Sequence, residues 1–212
     1  MNHFLRFLFY TVIVRPVLLI VLGLHVRHRE RLPSAGPALL VANHNSHLDA
    51  LVLAALFPTR LLSIVRPVAA EDYFFRNRVL KWFALSVVGI IPIPRIVCGG
   101  RDPLAPVCDA LSAGEIVILF PEGSRGEPER LGEFKTGVCH LAKRLPDVPV
   151  LPVFMHGFGK ALPKGEAVLV PFFCDVFVGE PVRWGGDKQA FLAELGGRMN
   201  ELAAEGRFPA WE

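Results

Sequence analysis

Two stretches decide the fold: residues 38–49, ALLVANHNSHLD, and residues 116–126, IVILFPEGSRG. In both, a short apolar run stops abruptly at a cluster of polar residues and glycines. The runs lack the apolar–polar alternation of a half-buried strand, which indicates strands that are buried on both faces. Further short apolar runs occur at Leu61–Val65, Ile90–Ile93 and Val150–Met155, between stretches with helical spacing. We therefore predict an α/β fold with a mostly parallel central sheet flanked by helices.

The intervening stretches have apolar residues three and four positions apart, which favours helices packed on the sheet. The predicted helices are Leu48–Phe57, Ala69–Val88, Pro103–Leu111, Gly137–Arg144 and Asp187–Ala204, and one or two more strands are predicted within Val168–Val178. Parallel sheets of this kind bind ligands beyond the carboxyl ends of their strands. The polar residues that follow each apolar run are therefore the first candidates for a functional site.

The N-terminal stretch Phe4–Leu24 is apolar over about the length that a bilayer-spanning helix needs. Arg6, Arg15 and Pro16 interrupt it, and a charge at the centre of a bilayer costs several kcal/mol. We expect an apolar membrane-associating helix that lies in the interface, or two short helical pieces joined at Arg15-Pro16. The same interruption argues against a signal peptide.

The basic residues Arg27, Arg29 and Arg31 follow this stretch and predict that the rest of the chain lies on the cytoplasmic side of the membrane. We divide the chain into a membrane-associating segment, residues 1–30, and a domain that contains the predicted sheet, residues 31–212. Because the predicted strands all follow residue 37, removing residues 1–24 is expected to leave a sheet that can fold.

The composition limits the classes of function. The chain has 212 residues, enough for one domain with a full core, and is 52% hydrophobic with a mean hydropathy of +0.41. So apolar a chain suggests either an unusually buried sheet or a surface that meets lipid. A net charge of +3 without a long basic run argues against nucleic acid. The four cysteines form neither a C-x-x-C pair nor a zinc-like cluster, and Cys139 and Cys174 are expected to be buried thiols in a reducing compartment.

The polar residues 43–49, NHNSHLD, contain a histidine and an aspartate five residues apart. If His44 ends the strand and Asp49 opens the next helix, the carboxylate can hold one imidazole nitrogen as N–H. The other nitrogen is then available as a general base. Two alternatives stay open: Ser46 and Asp49 also match a capping box, and His44 and His47 could bind a metal, although their spacing is poor for that.

A second polar group follows the apolar run at residues 116–120. Gly123 allows close approach of a ligand to the backbone, Arg125 can bind a phosphate with two hydrogen bonds, and Lys135 precedes a predicted helix. Arg95 ends the strand-like GIIPIPR at residues 89–95, and Pro152 interrupts a further apolar strand. Each could equally be an ordinary turn, a surface charge or a bulge. The absence of a G-x-S-x-G elbow and of a Walker loop argues against serine hydrolases and P-loop enzymes.

In this order, four blocks resemble the glycerolipid acyltransferase family, which includes the 1-acylglycerol-3-phosphate acyltransferases. The blocks are N-H-x-S-x-x-D at residues 43–49, G-x-x-x-I-x-R at 89–95, F-P-E-G-S-R at 120–125 and V-x-P-V at 150–153. The likeness extends over about residues 25–180. The second block departs from the family's usual form, because Pro92 and Pro94 stiffen it, which bears on the identity of the acceptor more than on the chemistry.

The resemblance implies a role for each matching residue. His44 would be the general base and Asp49 its orienting partner. Arg95, Glu122, Gly123 and Arg125 would bind the glycerol and phosphate of the acceptor, with Lys135 as a further phosphate ligand, and Pro152 would belong to the acyl-donor block. The implied substrates are a lysophospholipid, foremost lysophosphatidic acid, and acyl-CoA or acyl carrier protein as the thioester donor. No metal and no other cofactor is expected.

Other readings of the same residues remain. A thioesterase-like lipid hydrolase would use the same base to activate water, and its arginines would then have no substrate phosphate to hold. The acceptor could be another lyso-lipid or glycerol 3-phosphate. A membrane-bound interaction protein without activity would have no use for an intact histidine–aspartate pair.

Overall fold

The structure is a computed structural model that describes residues 2–94, 102–123, 131–162 and 168–208. Its strands form one sheet of seven in the order β1-β7-β6-β2-β5-β3-β4. The strands are β1 Leu22–Arg27, β2 Ala38–Ala42, β3 Val65–Ala70, β4 Ile91–Ile93, β5 Ile116–Leu119, β6 Val150–His156 and β7 Phe172–Val178. Among the described residues, every neighbouring pair is parallel except β6 and β7. The predicted α/β fold with a mostly parallel sheet is confirmed.

Helices cover both faces of the sheet. The described α-helices are α1 His3–Leu8, α2 Arg15–Ile20, α3 Asp49–Ala55, α4 Glu71–Phe74, α5 Arg78–Phe83, α6 Ala105–Ser112, α7 Gly137–Arg144, α8 Phe158–Ala161 and α9 Lys188–Glu205. Successive strand residues point to opposite faces, so Leu40 and Ile118 pack in a core with α3 and the N-terminal helices, whereas Leu39 and Val117 pack against α6, α7 and α9. Because both faces are covered, the strands are continuously apolar.

Most predicted elements form within a few residues of their expected bounds, but two are corrected. The run Leu61–Val65, predicted as a strand, consists of the end of the 3-10 helix Thr59–Leu61, a turn at residues 62–64 and the first residue of β3, which continues to Ala70. The predicted helix Ala69–Val88 is divided into α4, α5 and a π-helical turn. Pro67 is tolerated inside β3 because pairing changes there: residues 65–67 pair with β5, and residues 68–70 pair with β4.

The N-terminal apolar stretch forms one continuous helical run, His3–Ile20, rather than two pieces joined at Arg15-Pro16. By length and composition it could cross a membrane. One side of it is packed on the protein: Arg6, Tyr10, Val14 and Leu18 are buried. A straight α-helix has about 3.6 residues per turn, so a row of every fourth residue drifts around it. The π-helical segment Phe9–Val14 takes more residues per turn and keeps this row on the sheet side.

The two arginines of this stretch point into the protein and not into lipid. Arg6 donates to the carbonyl of Val65 over 2.5 Å, and Arg15 donates to the carbonyl of Phe57 over 2.7 Å. Phe57 lies just beyond α3, whose last carbonyl groups lack partners within the helix, so a cation there is favourable. The charges that argued against a clean membrane span are therefore used to attach the helix to the domain.

The expectation that the strands begin after residue 37 is wrong. β1 starts at Leu22 and pairs in parallel with β7 along its whole length, from Leu22 opposite Phe172 to Arg27 opposite Phe177. The predicted division at residue 30 stays a prediction, but the sheet includes residues on both sides of it. Removing residues 1–24 would cut into β1 and uncover part of the core.

Candidate active site

The candidate site lies where β2 and β5 end. Both strands are parallel, so their carboxyl ends meet at one edge of the sheet, and the loop that leaves β2 carries Asn43 to Leu48. The loop that leaves β5 carries Phe120 to Gly123. The polar residues that the sequence separates by more than seventy positions are in contact here, since the backbone N–H of His44 donates to Oε1 of Glu122 over 3.3 Å.

The histidine–aspartate pair forms as predicted from the spacing. Nδ1 of His44 lies 2.9 Å from Oδ2 of Asp49, whose side chain is completely buried, whereas 22% of the His44 side chain is exposed. A carboxylate in this position holds Nδ1 as the N–H and leaves Nε2 as the proton-accepting nitrogen. Nε2 makes no hydrogen bond to any residue that the structure describes, so it is available to a substrate.

Asp49 also organises the loop that carries His44. Its Oδ2 accepts the backbone N–H groups of Asn45, over 2.7 Å, and of Ser46, over 2.8 Å. Leu48, not Ser46, is the N-cap of α3, and no side-chain hydrogen bond caps this helix. The bond from Ser46 to Asp49 therefore holds the loop and is not part of a capping box. The buried carboxylate of Asp49 therefore fixes both the loop and the imidazole ring of His44.

The metal alternative gains no support from the geometry. His47 is exposed, and its Nε2 lies 3.3 Å from the hydroxyl of Tyr73 instead of near His44 Nδ1, which is occupied by Asp49. In the described ranges, no three histidine, cysteine, aspartate or glutamate side chains group closely enough to hold a metal ion.

The ring of Phe120 packs against one face of the His44 imidazole. The two rings are stacked with their centroids 4.2 Å apart and their planes 22° from parallel. With Asp49 fixing one edge of the ring and Phe120 one face, the direction of Nε2 is determined by two independent contacts. Phe120 was part of the quoted second block, but its aromatic type alone did not indicate that it would contact the histidine.

Glu122 is directed into the protein. Its side chain is buried, its Oε1 accepts the backbone N–H of His44, and its Oε2 faces the backbone of Gly132. Burial raises the pKa of this carboxyl above its usual value, while the backbone of His44, the backbone of Gly132 and the His44 ring oppose the shift. The carboxylate of Glu122 therefore joins the loops that follow β2 and β5. It is poorly suited to bind a substrate phosphate directly, because two negative charges repel each other.

Gly123 and Lys135 are in close contact, as the predicted phosphate site requires. Gly123 has a positive φ of 72°, and a Cβ atom added to it would lie 2.5 Å from Nζ of Lys135. The backbone N–H of Lys135 also donates to the carbonyl of Pro121 over 2.9 Å. The Lys135 ammonium group is therefore held against the loop that follows β5, near the start of α7.

Three predicted site residues remain, of which only Pro152 lies within the described residues. Arg95 and Arg125 lie outside the described residues, although β4 and β5, which precede them, are parallel to β2 and end at the same edge. Pro152 is buried inside β6 opposite Val41, and its carbonyl accepts the N–H of Gly179 over 2.8 Å. That contact lies just beyond the end of β7, so Pro152 occupies the irregular position at which regular pairing stops.

Asn43 has a structural role that the sequence did not reveal. Its side-chain oxygen accepts the N–H of Met155 over 2.7 Å, and its side-chain nitrogen donates to the carbonyl of Met155 over 2.8 Å. The amide replaces a backbone pair at the point where the chain leaves β2, so the sheet remains closed beside β6. This pair of bonds anchors the residue immediately before His44.

Comparison with protein families identifies one match to this chain. A family model described as Acyltransferase matches residues 23–156, a range that includes both loops of the site.

Curated relatives resemble the chain over most of its length. It is 32% identical over 156 residues to a chloroplastic 1-acyl-sn-glycerol-3-phosphate acyltransferase of Brassica napus, covering 72% of this chain and 43% of the relative. It is 30% identical over 185 residues to a chloroplastic enzyme of the same name from Arabidopsis thaliana, covering 85% and 48%. The alpha form of Bos taurus is 28% identical, covering 86% and 64%. The chain thus spans about half the length of the relatives it matches.

The fold is also found among solved structures. The crystal structure of the 1-acyl-sn-glycerophosphate acyltransferase PlsC from Thermotoga maritima superposes with a TM-score of 0.76, covering 94% of this chain and 78% of that one at 21% identity.

Proposed function

This chain belongs to the acyltransferase family, and on that basis we propose that it transfers a fatty-acyl group from a thioester to the free hydroxyl of lysophosphatidic acid, forming phosphatidic acid. The observation that carries the proposal is the contact between His44 Nδ1 and the buried Asp49 carboxylate, with Nε2 directed away from it. The names of the relatives, 1-acyl-sn-glycerol-3-phosphate acyltransferases, support the choice of acceptor.

The chemistry needs a base but no covalent enzyme intermediate, because a thioester carbonyl is already activated. Nε2 of His44 takes the proton from the acceptor hydroxyl as that oxygen forms a bond to the thioester carbonyl carbon. The electron pair of the carbonyl moves to its oxygen. The resulting imidazolium is stabilised by Asp49, whose charge is fully removed from water and is therefore little screened.

Collapse of the tetrahedral intermediate completes the transfer. The oxyanion re-forms the carbonyl, the carbon–sulfur bond breaks, and the leaving thiolate receives the proton that His44 took from the acceptor. The products are the acylated lipid and a free thiol, and His44 returns to its neutral state. The same residue thus acts as base in the first step and as acid in the second.

Acceptor binding requires cations close to Nε2. Lys135, held against Gly123, is the described residue that suits the phosphate group, and its position before α7 adds the favourable end of a helix dipole. We assign Arg95 and Arg125 to the same phosphate, as the resemblance implies. We assign Glu122 to joining the two loops, because its carboxylate accepts the backbone N–H of His44.

The donor is proposed to be acyl-CoA or acyl carrier protein, and the reaction as written needs no metal or further cofactor. The apolar N-terminal run would place the enzyme on the membrane, with the catalytic domain on the cytoplasmic side. Since Tyr10, Val14 and Leu18 are buried against the domain, we propose that the run lies in the interface rather than crossing the bilayer.

The test is a transfer assay with purified protein. Labelled acyl-CoA and acyl carrier protein thioesters are each incubated with lysophosphatidic acid, lysophosphatidylcholine, glycerol 3-phosphate or no acceptor. We expect label in phosphatidic acid, and His44→Ala should reduce that rate at least about 100-fold. Release of free fatty acid at the same rate with and without acceptor would indicate a thioesterase and overturn the proposal.

A further inference from the structure

A second exposed surface lies beside the candidate site, in the segment between β3 and β4. Three cations, Arg76, Arg78 and Lys81, are exposed there, and they alternate with two exposed apolar residues. Val79 is 74% exposed and Trp82 is 53% exposed. Both lie on α5, three residues apart, and therefore on one face of that helix.

We name these three cations the cationic patch. Arg76 lies over the ring of Tyr73 and Lys81 over the ring of Phe75, with distances of 5.5 Å and 3.9 Å to the ring centroids. In the part of the chain that the structure describes, none of the three forms an ion pair with a carboxylate. Glu71 and Asp72 precede the patch at the start of α4. Cations that rest on aromatic rings keep their charge available to an external anion.

The segment that carries the patch packs against the N-terminal run. The N–H of Asn2 donates to the carbonyl of Ser86 over 3.0 Å, and the rings of Phe9 and Phe83 meet edge to face at 5.2 Å. The exposed apolar residues of the run, which we name the apolar stripe, are Phe4, Phe7, Leu8, Val12, Ile13, Leu19 and Ile20. An apolar stripe bordered by cations and a tryptophan is typical of a surface that binds lipid headgroups.

We propose that the cationic patch, with Val79 and Trp82, is a second membrane contact that binds anionic lipid headgroups while the apolar stripe enters the acyl region. The apolar stripe has no exposed charge between Phe4 and Ile20, so the exposed charge of this surface comes from the cations of the patch. These cations are complementary to an anionic bilayer, which we take as the partner of this surface. The proposal rests on the proposed function only in that the substrate is a membrane lipid.

The arrangement also places the catalytic loop close to the bilayer. Tyr73, which supports Arg76, has its hydroxyl 3.3 Å from Nε2 of His47, three residues after the proposed base. Binding through the patch would therefore bring the edge of the site to the headgroup region. A lipid acceptor could then reach His44 without leaving the membrane completely.

The test is vesicle flotation of the full-length protein without acyl donor or acceptor. Vesicles of phosphatidylcholine alone are compared with vesicles that also contain phosphatidylglycerol, at low and high NaCl. The triple variant R76Q/R78Q/K81Q should bind the anionic vesicles less tightly, by about fivefold for each charge and so up to about 100-fold. Its binding to pure phosphatidylcholine should change little, and high salt should weaken the wild type to the level of the variant.

A matched control removes the same charge elsewhere. Lys143, Lys188 and Arg198 lie on α7 and α9, on the opposite face of the sheet, so K143Q/K188Q/R198Q should bind like the wild type. Trp82→Ala should weaken binding to both kinds of vesicle with little dependence on salt. Equal losses in the two triple variants, or no preference of the wild type for anionic vesicles, would overturn the proposal. Because no substrate is present, a failure of the proposed reaction would leave this result unaffected.

Discussion

We expect Asp49→Asn to lower kcat about 30- to 1,000-fold while the domain still folds. Two backbone N–H groups, those of Asn45 and Ser46, point at Oδ2 from 2.7 and 2.8 Å. An amide NH₂ in that position would face two donors, so the asparagine should place its oxygen there. His44 Nδ1 then still donates to an oxygen, and the imidazole keeps its tautomer.

What the substitution removes is charge. In the proposed mechanism the carboxylate attracts the imidazolium that forms when His44 takes the proton. A pair of charges about 4 Å apart at an effective dielectric constant of about 20 interact by about 4 kcal/mol. Replacing a charged by a neutral hydrogen bond gives a lower bound of about 2 kcal/mol. These limits correspond to the predicted range of rates. Reversal of the tautomer would cost more, about 10,000-fold.

The assay is steady-state transfer with saturating donor and acceptor, together with the melting temperature of each variant. Ser46→Ala is the matched control, because Ser46 Oγ bonds to the Leu162 carbonyl and supports the same loop without contacting His44. It should lower the melting temperature and leave kcat nearly unchanged. A kcat for Asp49→Asn within about threefold of the wild type would mean that Asp49 only holds the loop in place. A loss near 10,000-fold would show that the amide had turned over.

Three further predictions follow from other contacts. Gly123→Ala should raise the apparent KM for the acceptor about tenfold, because the added methyl group would displace the Lys135 ammonium. Gly186→Ala is the control: its φ of 98° brings the same kind of backbone strain, but nothing lies within 4 Å of the added methyl group, so KM should not change. Burial raises the pKa of Glu122, so this residue stabilises the folded state at pH values below the ordinary pKa of a glutamate and loses that contribution as the pH rises through the raised pKa. Between about pH 4 and pH 7, the free energy of unfolding measured with a chemical denaturant should fall less for Glu122→Gln than for the wild type, and an equal fall in both proteins would contradict this. Tyr10→Ala should lower the free energy of unfolding of the detergent-solubilised protein in urea by about 3 kcal/mol, because Tyr10 is buried. Replacing a residue of the apolar stripe with alanine should have little effect. Equal effects would mean that the helix is not part of the domain.

The sequence predicted the centre of the sheet well because burial there is unambiguous. β2 and β5 are apolar at every position, which identifies them as strands buried on both faces. Because polar residues follow both strands, the sequence also indicates which edge of the sheet carries the candidate site. α7 matches its prediction from Gly137 to Arg144. The spacing of His44 and Asp49 was informative because a strand end followed by a helix start leaves few geometries for the intervening loop.

The failures have a different cause: they involve contacts between distant parts of the chain. β1 was missed because an apolar stretch that runs into it from a helix has no local boundary, and only pairing with β7 defines it as a strand. β3 was displaced because Pro67 reads locally as a breaker, and its tolerance depends on a change of partner strand. Asn43 and Glu122 bind backbone groups of distant residues, which no local pattern records.

The pairing of β1 with β7 has a consequence for biosynthesis. The only strand that β1 pairs with in the described structure comes from residues 172–178, about 150 positions later in the chain. The N-terminal run and β1 must therefore wait, unpaired, until those residues have been translated, and closure of so non-local a contact is slow. During that interval the apolar run is exposed beside the ribosome and is free to meet the bilayer. Membrane delivery can thus precede completion of the sheet, and the finished domain would close around a helix that already lies on lipid.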